Sequence, residues 1–243
     1  MPSAEASGPS ECTFCAVGPE ASADGKRYVG QTWDMSATAF PHVVAFQRVP
    51  KGAPASLTVT TAGCLSLIGV NEHGIAVGNT NLTPHDARPG VMYLATIHTV
   101  LAQTSFEAAV RVVTEAPRMS GHFFYIAGPA GELAAIETTA LRHTVLEPSS
   151  AGILAHANHY VAPSLLEEER YAEGPRENSC IREGRMIELL AVNRGNLDAE
   201  LMQEILRDRA TAPDTLSRAP QDDPTRDVIT FASVIAEPAQ GQL

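Results

Sequence analysis

The chain has 243 residues, 44% of them hydrophobic and 19% charged, which is enough apolar material for a packed core. Its formal net charge of −11 makes it a poor candidate for nucleic-acid binding, where a basic face supplies most of the affinity, so no nucleic-acid partner is expected. No apolar run approaches the roughly 20 residues that cross a bilayer, so no membrane partner is expected either.

Residues 1–11 are small, polar and proline-containing, and read as a disordered leader. They carry neither a basic n-region nor an apolar h-region, so a cytoplasmic location is expected. From Cys12 the texture changes. Segments 12–17, 27–33, 42–49, 55–61, 64–70 and 75–79 are short and rich in Val, Ile, Thr, Phe and Leu. Asp24-Gly25, Pro50-Lys51-Gly52 and Asn71-Glu72-His73-Gly74 punctuate them, which is the pattern of consecutive antiparallel strands.

Two helices are predicted next. Leu94, Ile97, His98 and Leu101 recur at helical spacing in 91–103, and Phe106, Ala109, Val110 and Val113 form a stripe in 105–116. Thr104 and Glu107 have the spacing of a capping box. Residues 122–127 and 132–138 flank Gly128-Pro129-Ala130-Gly131 as a hairpin, and 141–146 and 152–156 are further strands. Helices follow at about 180–193 and 198–209, the second capped by Asp198 with Leu197 stapled to Met202. A polar loop covers 210–226, and the last strand is 228–236. Helices that come in pairs between blocks of strands argue against a doubly wound parallel sheet. An α+β sandwich of antiparallel sheets covered by helices fits better. One domain, 12–243, is expected behind the leader, because no Pro/Ser/Gly-rich linker divides the middle of the chain.

Cys12, Cys15, Cys64 and Cys180 are too few for a disulfide scaffold in a chain of this length. Cys12-Thr13-Phe14-Cys15 admits three readings: a redox pair, half of a zinc site, or two buried cysteines in a strand. The strand context weighs against the first. The second would need ligands from Cys64, Cys180 or His156 and His159, and no second C-x-x-C exists, so no metal is expected.

Further motifs follow Cys12-Thr13 in order: Gly30-Gln31-Thr32-Trp33-Asp34, then Gly69-Val70-Asn71-Glu72-His73-Gly74-Ile75-Ala76-Val77, then His156-Ala157-Asn158-His159. Together they resemble the isopenicillin-N acyltransferase-like family, peptidase C45, of the N-terminal-nucleophile (Ntn) hydrolases. Each motif alone is weak; four in order over roughly 150 residues are specific.

The resemblance implies an αββα four-layer sandwich and no cofactor. It implies a small-molecule acyl amide as substrate, with an acyl-CoA donor as a further partner. It also implies self-cleavage at Glu11–Cys12. A Cys12 at the head of the mature chain carries nucleophile and base on one residue, since an α-amine of pKa about 7.7–8.0 can take the thiol proton. Asp34 would charge-stabilise the α-ammonium, and Asn158 would donate to the developing oxyanion. Asn79 and Asn81 lie in the stretch where the family places its oxyanion loop. Thr13 stands beside the nucleophile. The family's Arg before its late strand is matched most nearly by Arg226, one residue out of register.

The sequence departs from the family in three ways. The leader is short, the chain stops soon after 228–236, and Thr32 replaces the family Asn. A missing edge strand would leave backbone groups unpaired, which a homo-oligomer would cover. The alternative function is a catalytically inactive binding or structural protein on the same fold.

Overall fold

The computed structural model describes residues 11–170 and 173–243. Among them are eleven strands and four α-helices in the order read above. The strands are β1 (Glu11–Val17), β2 (Tyr28–Ser36), β3 (Val43–Arg48), β4 (Ser56–Thr61), β5 (Ile68–Asn71), β6 (Ala76–Asn81), β7 (His122–Ala127), β8 (Leu133–Thr138), β9 (His143–Leu146), β10 (Ile153–His156) and β11 (Val228–Ala236). The helices are α1 (Tyr93–Leu101), α2 (Phe106–Glu115), α3 (Glu173–Val192) and α4 (Ala199–Ile205).

The strands make two sheets, ordered β10-β1-β2-β11 and β3-β4-β5-β6-β7-β8-β9. Every pairing is antiparallel. The period-2 geometry of a strand sends successive side chains to opposite faces, and the sequence uses both. On β1, Phe14 and Ala16 pack between the sheets against Phe123 and Tyr125 of β7. Cys15 and Val17 face the other way, onto Met186 and Leu190 of α3 and Met202 of α4. On β7, Phe124 and Ile126 turn toward Ile97 and Val100 of α1 and Val113 of α2. The layers are therefore α3/α4, the smaller sheet, the larger sheet, and α1/α2. This is the expected α+β sandwich.

Turn chemistry holds at the hairpin residues. Gly74 adopts φ +74°, which side chains with a Cβ rarely take, between β5 and β6. Asp198 caps α4 by accepting from Leu201 N at 2.8 Å, and Leu197 and Met202 share one core cluster.

Four readings need correction. The cap of α2 is Ser105, whose Oγ accepts from Ala108 N at 3.2 Å, rather than Thr104. The strand expected over 64–70 is confined to β5, after a turn at 62–63. Helix α3 begins at Glu173, not about 180. Its buried stripe runs Asn178, Arg182, Met186, Leu190 at i, i+4 spacing. The first half of that stripe is polar, so apolar periodicity catches only the second half. Finally, residues 1–10 of the expected leader lie outside the described residues, but Glu11 does not. It is buried in β1, paired with Asp34 of β2.

Candidate active site

Cys12 sits on β1 with Glu11 before it, in the middle of the smaller sheet, opposite Trp33 of β2. It is buried beside Trp33, Leu67, Ile68 and Phe231. The β1–β10 ladder stops at Phe14 and His156. Continuing that register brings Asn158 level with Cys12. Past the strand end a side chain replaces the backbone partner, and Asn158 Oδ1 accepts from Cys12 N at 2.8 Å.

Arg182 of α3 is fully buried and completes the clasp. Its Nη1 donates to the Cys12 carbonyl and to Thr13 Oγ1, each at 2.7 Å. Its Nη2 donates to Asn158 Oδ1 at 2.9 Å, and its Nε to Asn178 Oδ1 at 2.9 Å. The planar fork of donors spans all four acceptors at once, which no lysine could do. Asn158 is pinned from both ends: its N–H donates to Ser179 Oγ at 2.6 Å, and its Nδ2 to the Asn81 carbonyl at 3.0 Å.

Asp34 of β2 is fully buried. Its Oδ1 accepts from Thr230 Oγ1 at 2.6 Å, while Oδ2 has no hydrogen-bond partner. Burial pushes its carboxyl up to about 7, against the pull of the Thr230 bond, Arg182 and Arg218. Asn79 and Asn81 lie on β6, in the facing sheet. The Asn79 carbonyl accepts from Gln31 Nε2 at 2.6 Å, and its buried Oδ1 is unpartnered.

Of the residues singled out in the sequence, Cys12, Thr13, Asn158 and Asn81 are thus joined in one hydrogen-bonded unit through Arg182. Asp34 stands one position along, beside Glu11, and Asn79 lies across the sheet interface. Arg226 is in neither place. Its side chain is 36% exposed and reaches Glu11 Oε1 at 3.7 Å, Asp214 at 3.5 Å and Asp223 at 3.1 Å. The guanidinium on the Cys12 backbone is that of Arg182, which escapes the sequence reading because a buried charge on a helix leaves no apolar trace. The i, i+4 pair Asn178 and Arg182 is the one signal that could have revealed it. Arg218 and Glu11, a buried ion pair, escape it as well.

The two cysteines of Cys12-Thr13-Phe14-Cys15 are three apart on a strand and so face opposite layers. Burial pushes the Cys15 thiol up to about 12. His156 and His159 serve the loop that carries Asn158. His156 Nε2 meets Glu137 Oε1 at 2.9 Å and its ring stacks on Phe123; His159 Nδ1 meets Ser179 Oγ at 2.8 Å.

Two antiparallel sheets stacked face to face and walled by helices are the arrangement of the Ntn-hydrolase fold. Comparison with known proteins agrees. A family model described as "Acyl-coenzyme A:6-aminopenicillanic acid acyl-transferase" matches residues 21–243, and the chain belongs to that family. The chain is 25% identical over 206 residues to the acyl-coenzyme A:6-aminopenicillanic-acid-acyltransferase 40 kDa form of Emericella nidulans. That match covers 83% of this chain and 56% of the relative, so the chain spans little more than half the relative's length.

Solved structures share the fold at low identity. The N-acylethanolamine-hydrolyzing acid amidase ortholog of Caenorhabditis elegans superposes with a TM-score of 0.65 at 15% identity, over 94% of this chain and 93% of that one. A mutant of the conjugated bile acid hydrolase of Clostridium perfringens gives 0.59 at 14%, over 94% and 86%. Penicillin V acylase from Agrobacterium tumefaciens gives 0.55 at 13%, over 93% and 80%.

Proposed function

We propose that this chain is a cysteine Ntn hydrolase or acyltransferase, matured by cleavage at Glu11–Cys12 and acting on small amides through a Cys12 thioester. The observation that carries the reading is the clasp itself. Asn158 and Arg182 hold the backbone N–H and C=O of Cys12 itself. A nucleophile that uses its own amine needs its own backbone fixed.

In the first step Cys12 Sγ attacks the Glu11 carbonyl, and the thiol proton passes to the Cys12 nitrogen as the C–N bond breaks. A Glu11 thioester and a free α-amine result. Water then releases Glu11 as a carboxylate and restores the thiol. In turnover the α-amine, held by Asn158 Oδ1, takes the thiol proton, and Sγ attacks the substrate carbonyl. The amine proton goes to the leaving nitrogen. Water or an acceptor amine resolves the acyl thioester, and an acyl-CoA could load it by the same exchange.

Asn158 Nδ2 carries two N–H bonds and Asn81 takes one, so the second can serve the oxyanion. The side chains of Asn79 and Asn81 are the facing candidates. Asp34, beside Arg182 and Arg218, tunes the charge around the new ammonium. Among the described residues no helix is long and apolar enough to cross a membrane. Thiol chemistry at Cys12 suits a reducing compartment, and we place the protein in the cytoplasm.

Intact-mass spectrometry of wild type and Cys12→Ala tests the proposal. Wild type should lose residues 1–11 and gain one acyl mass at Cys12 on exposure to an activated ester; the variant should do neither. Turnover by protein that keeps residues 1–11 would overturn it.

A further inference from the structure

Glu11 is an unusual residue to find buried at a scissile bond. Its carboxylate is 9% exposed and forms an ion pair with Arg218, whose side chain is 1% exposed. Arg226 stands farther off at 3.7 Å, at the solvent side.

The other acids near Arg218 make their close contacts with other groups or, at Asp34 Oδ2, with none. Asp222 is held by Arg209, and Asp223 lies 3.1 Å from Arg226. Asp34 gives its Oδ1 to Thr230, and no ion pair within 4 Å joins it to Arg218 among the described residues. Arg218 Nε and Nη1 have no hydrogen-bond partner. Its backbone is fixed: Arg218 N donates to Thr230 Oγ1 at 2.7 Å, and Thr230 N to the Arg218 carbonyl at 3.0 Å. Cleavage and departure of Glu11 would therefore leave a buried guanidinium, on a fixed backbone, without its ion-pair partner, a costly state that a new carboxylate would relieve.

The chemistry says where that carboxylate comes from. On the reading above, self-cleavage and turnover pass through the same species, an acyl group on Cys12 Sγ beside a free α-amine. In self-cleavage the acyl carbonyl is that of Glu11, and its side chain lies on Arg218. A substrate's acyl group occupies the same thioester and meets the same surroundings.

We propose that the space vacated by the Glu11 side chain is the acyl subsite of the mature enzyme, with Arg218 as its carboxylate-recognising residue. The preferred donors are then amides whose acyl chain ends in a carboxylate at the reach of a glutamyl side chain, the glutaryl and α-glutamyl amides. This inference rests on the proposed role of Cys12 and adds the substrate class to it.

The test uses mature wild-type protein and two anilides of equal chain length, glutaryl-p-nitroanilide and pentanoyl-p-nitroanilide. A charge-assisted contact in a buried site should favour the glutaryl compound by about 10- to 100-fold in kcat/KM. Glutarate should likewise inhibit more tightly than pentanoate, a measurement that needs no variant. In Arg218→Gln the ratio of the two rates should collapse toward one, and Arg218→Lys should keep part of it. Equal or faster turnover of the pentanoyl anilide by wild type, on protein shown by mass to begin at Cys12, would overturn this inference and leave the role of Cys12 standing. If neither anilide is turned over and neither acylates Cys12, the underlying reading falls, and this one with it.

Discussion

Arg182 Nη2 and Asn158 Oδ1 meet at 2.9 Å, and that contact ties α3 to the loop after β10 over the backbone of Cys12. Arg182 also reaches the Cys12 carbonyl at 2.7 Å, and Asn158 the Cys12 N–H at 2.8 Å. The two side chains thus fix both polar groups of one residue, and neither can move without the other.

Arg182→Lys should separate fold from chemistry. A lysine is a point charge on a flexible stem and cannot hold the Cys12 carbonyl, Thr13 and Asn158 together. Each abandoned buried acceptor costs about 1–3 kcal/mol. We expect leader release to slow by about 100-fold, the scale of losing a positioned polar group in a reaction site. A time course of intact mass reads the rate, and a thermal melt shows whether the protein still folds cooperatively. Wild-type processing in that variant would remove Arg182 from the site.

The pH dependence of stability should carry the mark of Asp34. Its carboxyl is raised from 3.8 to about 7 in the fold. Between those values the native state holds a proton that the unfolded state has lost, so unfolding free energy falls as pH rises. The contribution is complete below about pH 4 and gone above about pH 7, and is on the order of a few kcal/mol. Asp34→Asn cannot ionise. Urea midpoints of the two proteins should therefore lie closest at about pH 4 and below, with wild type falling steadily below the variant toward pH 7.5. Parallel curves would show that Asp34 is ionised throughout.

Much of this architecture is legible in the sequence because its signals are apolar and periodic. The alternation through β1 and β7, the Gly74 turn and the Asp198 cap each have a local cause. The site is legible only in part. Cys12, Asp34 and Asn158 sit inside short motifs, so the resemblance finds them. Arg182 sits in a helix stripe whose apolar half begins four residues later. Arg218 lies in a segment that reads as a polar loop, eight residues before Arg226, and is 3% exposed. Burial of a guanidinium depends on its distant partners, Glu11 or Asn158, and no local pattern encodes those pairings. Glu11 reads with the polar residues before it, although its backbone already belongs to the ladder with Asp34.

Thiol reactivity should follow the layers. Cys15 lies on the α3/α4 face, where burial pushes its thiol to about 12, so it has almost no thiolate at neutral pH. Cys15→Ala should keep most of the activity, with some loss of stability from the smaller side chain against Met202 and Leu206. Cys12→Ala should abolish leader release and turnover together. Peptide mapping after brief exposure to an activated ester should find Cys12 acylated well ahead of Cys64 and Cys180. Acylation led by Cys64 or Cys180 would contradict this ordering.

The loop that carries Asn158 rests on one buried carboxylate, and its removal should be felt at Cys12. Glu137 Oε1 accepts from His156 Nε2 at 2.9 Å and from Val161 N at 2.6 Å, and Oε2 accepts from Ala162 N at 3.0 Å. These three bonds bracket Asn158 on both sides. Glu137→Gln keeps the shape but has a single acceptor oxygen, so its amide N–H₂ must face one of the donors. We expect a loss of about 2–3 kcal/mol from the unsatisfied buried group, seen as a lower urea midpoint with unchanged slope. Leader release should slow as well, because Asn158 would no longer be held level with the Cys12 N–H. Adding a mild osmolyte to restore stability distinguishes the two effects, since it deepens the folded state without replacing the missing acceptor. If osmolyte restores the wild-type cleavage rate, Glu137 acts on stability alone and the positioning argument for the 156–162 loop fails.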